Sequence, residues 1–203
     1  MVHSLARKYA CSVIPEFFAN YPDYFLSLTV NSEEGLRRAS IDWVLAQYIQ
    51  KEYAIRSAKG LVICDRSPLD LIVYSLAFGS KIYAETVNAM KRIDWSSGRL
   101  FLLLAPKSDE LLRRIRTRNH LDSFSSTKIL NGLVMPLEKE DKRLYSIIRS
   151  TWVSTDCPLP SVVKRIVPTL QEPYMPTDLN KTIKTLRLHC SEDDSIQKSN
   201  DIS

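Results

Sequence analysis

The chain has 203 residues, 44% hydrophobic and 25% charged, with a formal net charge of +5. That length buries one substantial core and that composition is globular, which excludes a fibrous, low-complexity or wholly disordered protein. No apolar run approaches the ~20 residues of a membrane-spanning helix, and Arg7, Lys8 and Tyr9 interrupt any apolar signal core, so an intracellular, cytoplasmic protein with no membrane partner is expected.

The chain opens on Ser4 to Cys11, which reads as the second half of a helix without a start signal. Ser12 to Ile14 is a short strand closed by Pro15-Glu16, and Phe17 to Val30 is aromatic and irregular. Asn31 or Ser32 can cap a long helix with Glu33 and Glu34 in its first turn. Ile41, Val44, Leu45, Tyr48 and Ile49 recur at helical spacing, which carries that helix to about Ser57. Lys59-Gly60 turns into an apolar strand, Leu61 to Cys64.

Ser67 is placed to cap the next helix, with Pro68 at its first position and Asp70 three after the cap, close to a capping box. Leu69, Ile72, Val73 and Leu76 form its apolar face and Gly79 ends it. A polar helix follows over about Ala84 to Arg92, then a second apolar strand, Leu100 to Leu104, closed by Ala105-Pro106. Ser108 caps a helix carrying Leu111, Leu112 and Ile115 beside Arg113, Arg114, Arg116 and Arg118. His120 to Asn131 is polar, Glu138 to Ser150 is helical, Trp152 to Thr155 is a third short strand, and Ser161 opens a last helix with Val162, Val163, Ile166 and Val167. Short apolar strands alternating with helices predict an α/β domain over residues 1–170, a parallel sheet wrapped by helices. Residues 171–203 read as a polar, disordered tail.

Asp65-Arg66, at the end of the strand Leu61 to Cys64, is the most informative pair in the chain. Open α/β sheets bind ligands at the carboxyl ends of their strands. An arginine there offers phosphate two parallel hydrogen bonds, and an aspartate suits a hydrated Mg²⁺. Cys11, Cys64, Cys157 and Cys190 are scattered, without a C-x-x-C pair, which fits reduced thiols rather than disulfides or zinc. His3, His120 and His189 are isolated and show no metal-ligand spacing. Arg38 and Gln47 on the long helix are further candidates to face an acceptor, or to lie on a solvated face.

Four pieces, in order over about residues 4–168, resemble the P-loop nucleoside and nucleotide kinases, in particular thymidylate and deoxynucleoside kinases. They are Val13-Ile14-Pro15-Glu16, Asp65-Arg66-Ser67, the arginines from Arg113 to Arg118, and Ser154-Thr155-Asp156-Cys157-Pro158-Leu159-Pro160 before Val162-Val163-x-x-Ile166. The resemblance implies a three-layer P-loop NTPase-like fold and phosphoryl transfer from ATP, with Mg²⁺, to a small nucleoside or nucleotide acceptor. It implies that Glu16 is the general base or orients the acceptor hydroxyl. Asp65 would hold Mg²⁺ through water, and Arg66 would hold an acceptor or transferred phosphate. Arg114 and Arg118, four apart on one helix face, would close on the phosphates as a lid, and Thr155 and Asp156 would line the adenine side. It allows a homodimer.

The chain departs from that pattern in one respect: no G-x-x-x-x-G-K-[ST] loop occurs, nor the first strand that precedes it in the family. Truncation of a family member is the expectation. A non-catalytic binding or interaction protein of the same fold is the rival reading, which the absent loop favours. A nucleic-acid binder has only the basic balance behind it, since no motif interleaves aromatic and basic residues.

Overall fold

The computed structural model describes residues 2–17, 32–104 and 150–185, with isolated positions between 112 and 148. In chain order the elements are α1 (Val2–Tyr9), β1 (Ser12–Ile14), α2 (Glu34–Ser57), β2 (Val62–Cys64), α3 (Leu69–Phe78), α4 (Ser80–Met90), β3 (Phe101–Leu104), β4 (Thr151–Ser154) and α5 (Leu159–Gln171). All four strands expected from sequence are present within a residue of their expected bounds.

The strands pair in parallel. In β1–β2 the register is Ser12↔Val62, Val13↔Ile63 and Ile14↔Cys64, and in β3–β4 it runs from Phe101↔Thr151 to Leu104↔Ser154. A parallel pair needs a long crossover, and α2 lies in the connection from β1 to β2. The parallel pairing expected from sequence is present, and the described residues form two separate two-stranded sheets, β1–β2 and β3–β4. Side chains rather than a backbone ladder join them. Ile63 of β2 and Phe101 of β3 pack on the same cluster as Val153 of β4, Leu5 of α1, and Val162 and Ile166 of α5.

The larger core lies among the helices. Ile41, Val44 and Tyr48 of α2 pack with Leu69, Leu71, Ile72, Val73 and Phe78 of α3 and with Ile82, Tyr83, Val87 and Met90 of α4. Helix α3 is apolar nearly all round, as befits a helix enclosed by its neighbours, and Gly79, at φ 120°, supplies the break before α4. Helix α4 reads as polar in sequence, yet it buries one face through Ile82, Val87 and Met90.

The described part of the segment expected to be a tail, residues 171–185, packs on the domain. Thr177 pairs with Gly98 across an antiparallel bridge, and Leu179 and Ile183, in helical residues 179–185, are buried in the main core. Two apolar residues four apart form a stripe too short to stand out in a polar segment. A polar seam locks this segment down. Asn180 Nδ2 donates to Asp94 Oδ1 at 3.1 Å and Asn180 Oδ1 accepts from Trp95 N at 3.1 Å. Glu52 of α2 accepts from Ser96 N at 3.1 Å on each carboxylate oxygen and from Arg56 Nε at 2.9 Å. Residues 186–203, with His189 and Cys190, lie outside the described residues.

Candidate functional site

Two parallel strands in register end side by side. Asp65 N donates to Ile14 O at 3.0 Å, which extends the β1–β2 ladder one residue and sets the segment 15–17 against the turn 65–68. Three sequence-identified residues, Glu16, Asp65 and Arg66, therefore meet at neighbouring carboxyl ends, although Glu16 and Arg66 are 50 residues apart in the chain. Arg66 Nε donates to Glu16 Oε1 at 3.3 Å. Its Nη1 lies 3.6 Å from Asp70 Oδ2, in the first turn of α3. Partial burial opposes the guanidinium charge, but Asp70, Tyr74 and Glu16 outweigh it and hold the pKa above its usual value. Arg66 is thus a permanent cation held from two sides, with its side chain still 41% exposed.

The backbone at Arg66 is unusual. Its φ is 78°, in the left-handed region that costs a side-chain-bearing residue free energy. Ser67 Oγ accepts from Leu69 N at 3.2 Å, while the cap position of α3 falls one residue later than expected, at Pro68. Asp70, expected to complete a capping box, instead pairs with Arg66.

Beneath the turn sits Lys51 of α2, only 7% exposed. Its ammonium donates to the carbonyl oxygen of Asp65. It also lies 5.0 Å from the centroid of the Phe17 ring and 5.8 Å from that of Tyr48. Phe17 packs edge-on against both Tyr48 (5.0 Å) and Trp43 (5.8 Å), which closes the wall. Burial pushes the Lys51 pKa down, against the opposing pull of Cys64, Asp65, Asp70 and Glu16. Burial pushes the Cys64 thiol up, with Lys51 working the other way.

In the sequence Lys51 was not singled out, and Asp70 was given only to helix capping. The signal for Lys51 was present: it falls three after Tyr48 and seven after Val44, on the apolar stripe of α2, where a lysine is out of place. Asp70 carried a weaker signal, four residues after Arg66 on the following helix.

The remaining candidates fall elsewhere. Arg38 belongs to an exposed network, 3.0 Å from Glu34 and paired with Glu85 of α4, so it is a surface ion-pair residue tying α2 to α4. Thr155 and Asp156 follow β4 in the other sheet, with Asp156 N donating to Ser154 Oγ at 3.3 Å. Arg114, Arg116 and Arg118 lie outside the described residues, and Arg113 is exposed. Cys11, Cys64 and Cys157 are free thiols, as expected. Among the described residues no helix is long and apolar enough to cross a membrane, and no group of three or more His, Cys, Asp or Glu is arranged to hold a metal. Mg²⁺ asks for less, one or two carboxylates plus substrate phosphates.

No protein-family model, curated protein or solved structure matches this chain. What the site can do follows from its own chemistry. A fixed guanidinium between two carboxylates, above an aromatic wall, can receive a ligand that offers hydroxyls to the acids and a phosphate or other oxyanion to the arginine.

Proposed function

We propose that this site is the acceptor half of a nucleoside or nucleotide kinase-like protein, in which phosphoryl transfer from ATP falls on a small acceptor. The observation that carries the reading is Arg66, held between Glu16 and Asp70 where two parallel strands end together. In this reading Glu16 takes or orients the acceptor hydroxyl proton, and Arg66 neutralises charge on the acceptor or on the transferring phosphoryl group. Asp65 would hold Mg²⁺ through water, and the bound ion would neutralise phosphate charge. Thr155 and Asp156 would face the adenine, and Arg114 and Arg118 the phosphates. The P-loop NTPase-like arrangement of the two parallel strand pairs is part of the same proposal.

Calorimetry with thymidine, the deoxynucleosides and their 5′-monophosphates tests it. At least one should bind with unit stoichiometry, and Arg66→Ala should weaken that binding by about 10- to 100-fold, the worth of one or two charged hydrogen bonds. A folded chain that binds none of them at millimolar concentration, or an Arg66→Ala variant that binds them equally well, refutes the reading. Mg-ATP should bind weakly, because the sequence lacks the glycine-rich loop that donates backbone N–H groups to phosphate. Nucleoside binding without ATP binding or turnover would favour the second reading, a non-catalytic binding protein built on the same site.

A further inference from the structure

We propose that Lys51 is a positioning residue: by donating to the Asp65 carbonyl it holds the peptide between β2 and α3 in the orientation that aims Arg66 at Glu16 and Asp70. The functional meaning rests on Arg66 being the acceptor-site cation. The structural content stands without it.

Lysine is rarely buried unless a carboxylate neutralises it. Lys51 is 7% exposed, yet among the described residues it forms no salt bridge. Its hydrogen bond goes to a neutral carbonyl, and the acids that face it, Glu16, Asp65 and Asp70, act from farther off. The faces of Phe17 and Tyr48 supply part of the missing compensation. A charge kept in so costly a place points to what it bonds. The Asp65 carbonyl shares a rigid plane with Arg66 N, so fixing that oxygen fixes ψ of Asp65 and φ of Arg66 together. Turning such a plane over is what separates turns with negative φ at the following residue from turns with positive φ. Arg66 sits on the positive side, at 78°, where an arginine does not rest unaided. Lys51 therefore does from α2 what a glycine would do in the turn itself.

The test is arginine side-chain NMR on the full chain. Arg66 Nε–H, bonded to Glu16, is the reporter, and Arg56 Nε–H, bonded to Glu52 at 2.9 Å, is the internal control. In Lys51→Met the Arg66 proton should exchange at least about tenfold faster while Arg56 is unchanged, because only the local opening equilibrium has moved. A folded Lys51→Met protein in which Arg66 exchanges at its wild-type rate overturns the proposal. If Lys51→Met unfolds, or both protons speed up, the double variant Lys51→Met/Arg66→Gly decides. Glycine holds a left-handed turn without a brace, so the double variant should fold and melt within about 2 °C of Arg66→Gly alone. A double variant that is unfolded, or melts well below that, overturns the proposal, since Lys51 would then act through packing. Failure of nucleoside binding would remove the proposed function and leave these results untouched. Intact nucleoside binding with an unchanged Arg66 proton would remove this inference alone.

Discussion

Replacing Arg66 by glycine and by alanine should reverse the usual order of the two substitutions. In most places glycine is about 0.5–1 kcal/mol worse than alanine, because its unfolded chain has more freedom to lose. At φ 78° the balance differs, since alanine inherits the left-handed cost of about 1–2 kcal/mol and glycine does not. Both variants lose the same ion pairs. Arg66 is 41% exposed, with Glu16 at 21% and Asp70 at 14%, so solvent screening limits each pair to about 0.5 kcal/mol. The sum places alanine about 1 kcal/mol below wild type, and glycine about 0.5–1 kcal/mol above alanine, close to the wild-type stability. Urea unfolding followed by circular dichroism resolves that difference when the three proteins are measured side by side. Both variants should weaken nucleoside binding by about 10- to 100-fold, so stability and binding separate cleanly in the glycine variant. Alanine equal to or more stable than glycine would refute the left-handed turn in solution, and with it the account of how Arg66 is presented.

Gly79→Ala should destabilise by about 1–3 kcal/mol because φ is 120° there, although no atom crowds an added Cβ. Gly35→Ala, inside α2 with 3.9 Å to its nearest neighbour, should instead stabilise by about 0.5–1 kcal/mol, and both are checked by chemical denaturation. Glu52→Gln should cost about 2–4 kcal/mol, since the Glu52 side chain is only 8% exposed and Ser96 loses a charged acceptor. Scanning calorimetry should show a melting point lower by about 5–12 °C, and one unchanged within a degree would refute that accounting. In alkali two groups pull in opposite directions. The folded Lys51 pKa lies below its usual 10.5, so between the two the unfolded chain binds the extra proton and stability rises with pH. The folded Cys64 pKa lies above its usual 9.0, so that contribution to stability is lost as pH climbs from 9.0 through the folded value. Stability measured from pH 8 to 11 should therefore rise more steeply in Cys64→Ala than in wild type and lose its Lys51 component in Lys51→Met.

The parts of the fold that were legible in sequence are those where one local pattern decides the outcome. The apolar runs at 61–64 and 100–104, each ended by a turn signal, read as short strands, and the helical spacing of Ile41, Val44 and Tyr48 fixed α2. Asp65-Arg66 stood out as a candidate because a charged pair ended an apolar strand, and Glu16 because it followed the strand that pairs with it. What was not legible depends on contacts across the chain. Asp70 has two competing uses at the start of a helix, capping and pairing, and its pairing with Arg66 shows only once the turn is folded onto α3. Leu179 and Ile183 give no signal until Asn180 is seen bonded to residues 94 and 95. Arg38 read in sequence as either a pocket residue or a solvated one, and Glu85 of α4 beside it decides for the surface.

Lys51 and Glu52 are neighbours, both at least nine-tenths buried, on a helix stripe that hydrophobic burial alone would fill with leucine. Their charges cannot be there to strengthen the core, since buried ions seldom do. Each reaches out of α2 to fix a backbone segment that has no regular structure of its own. Lys51 takes the Asp65 carbonyl and so the turn that carries Arg66, whereas Glu52 takes Ser96 N and so the loop to which Asn180 is tied. A hydrophobic pair would bury as much surface yet specify neither loop, because dispersion has no direction and a hydrogen bond does. Helix α2 is thus the rigid member from which both loops are set. Substitutions at 51 should register at Arg66, and substitutions at 52 at Trp95 and the segment 177–185, with little crossover between them.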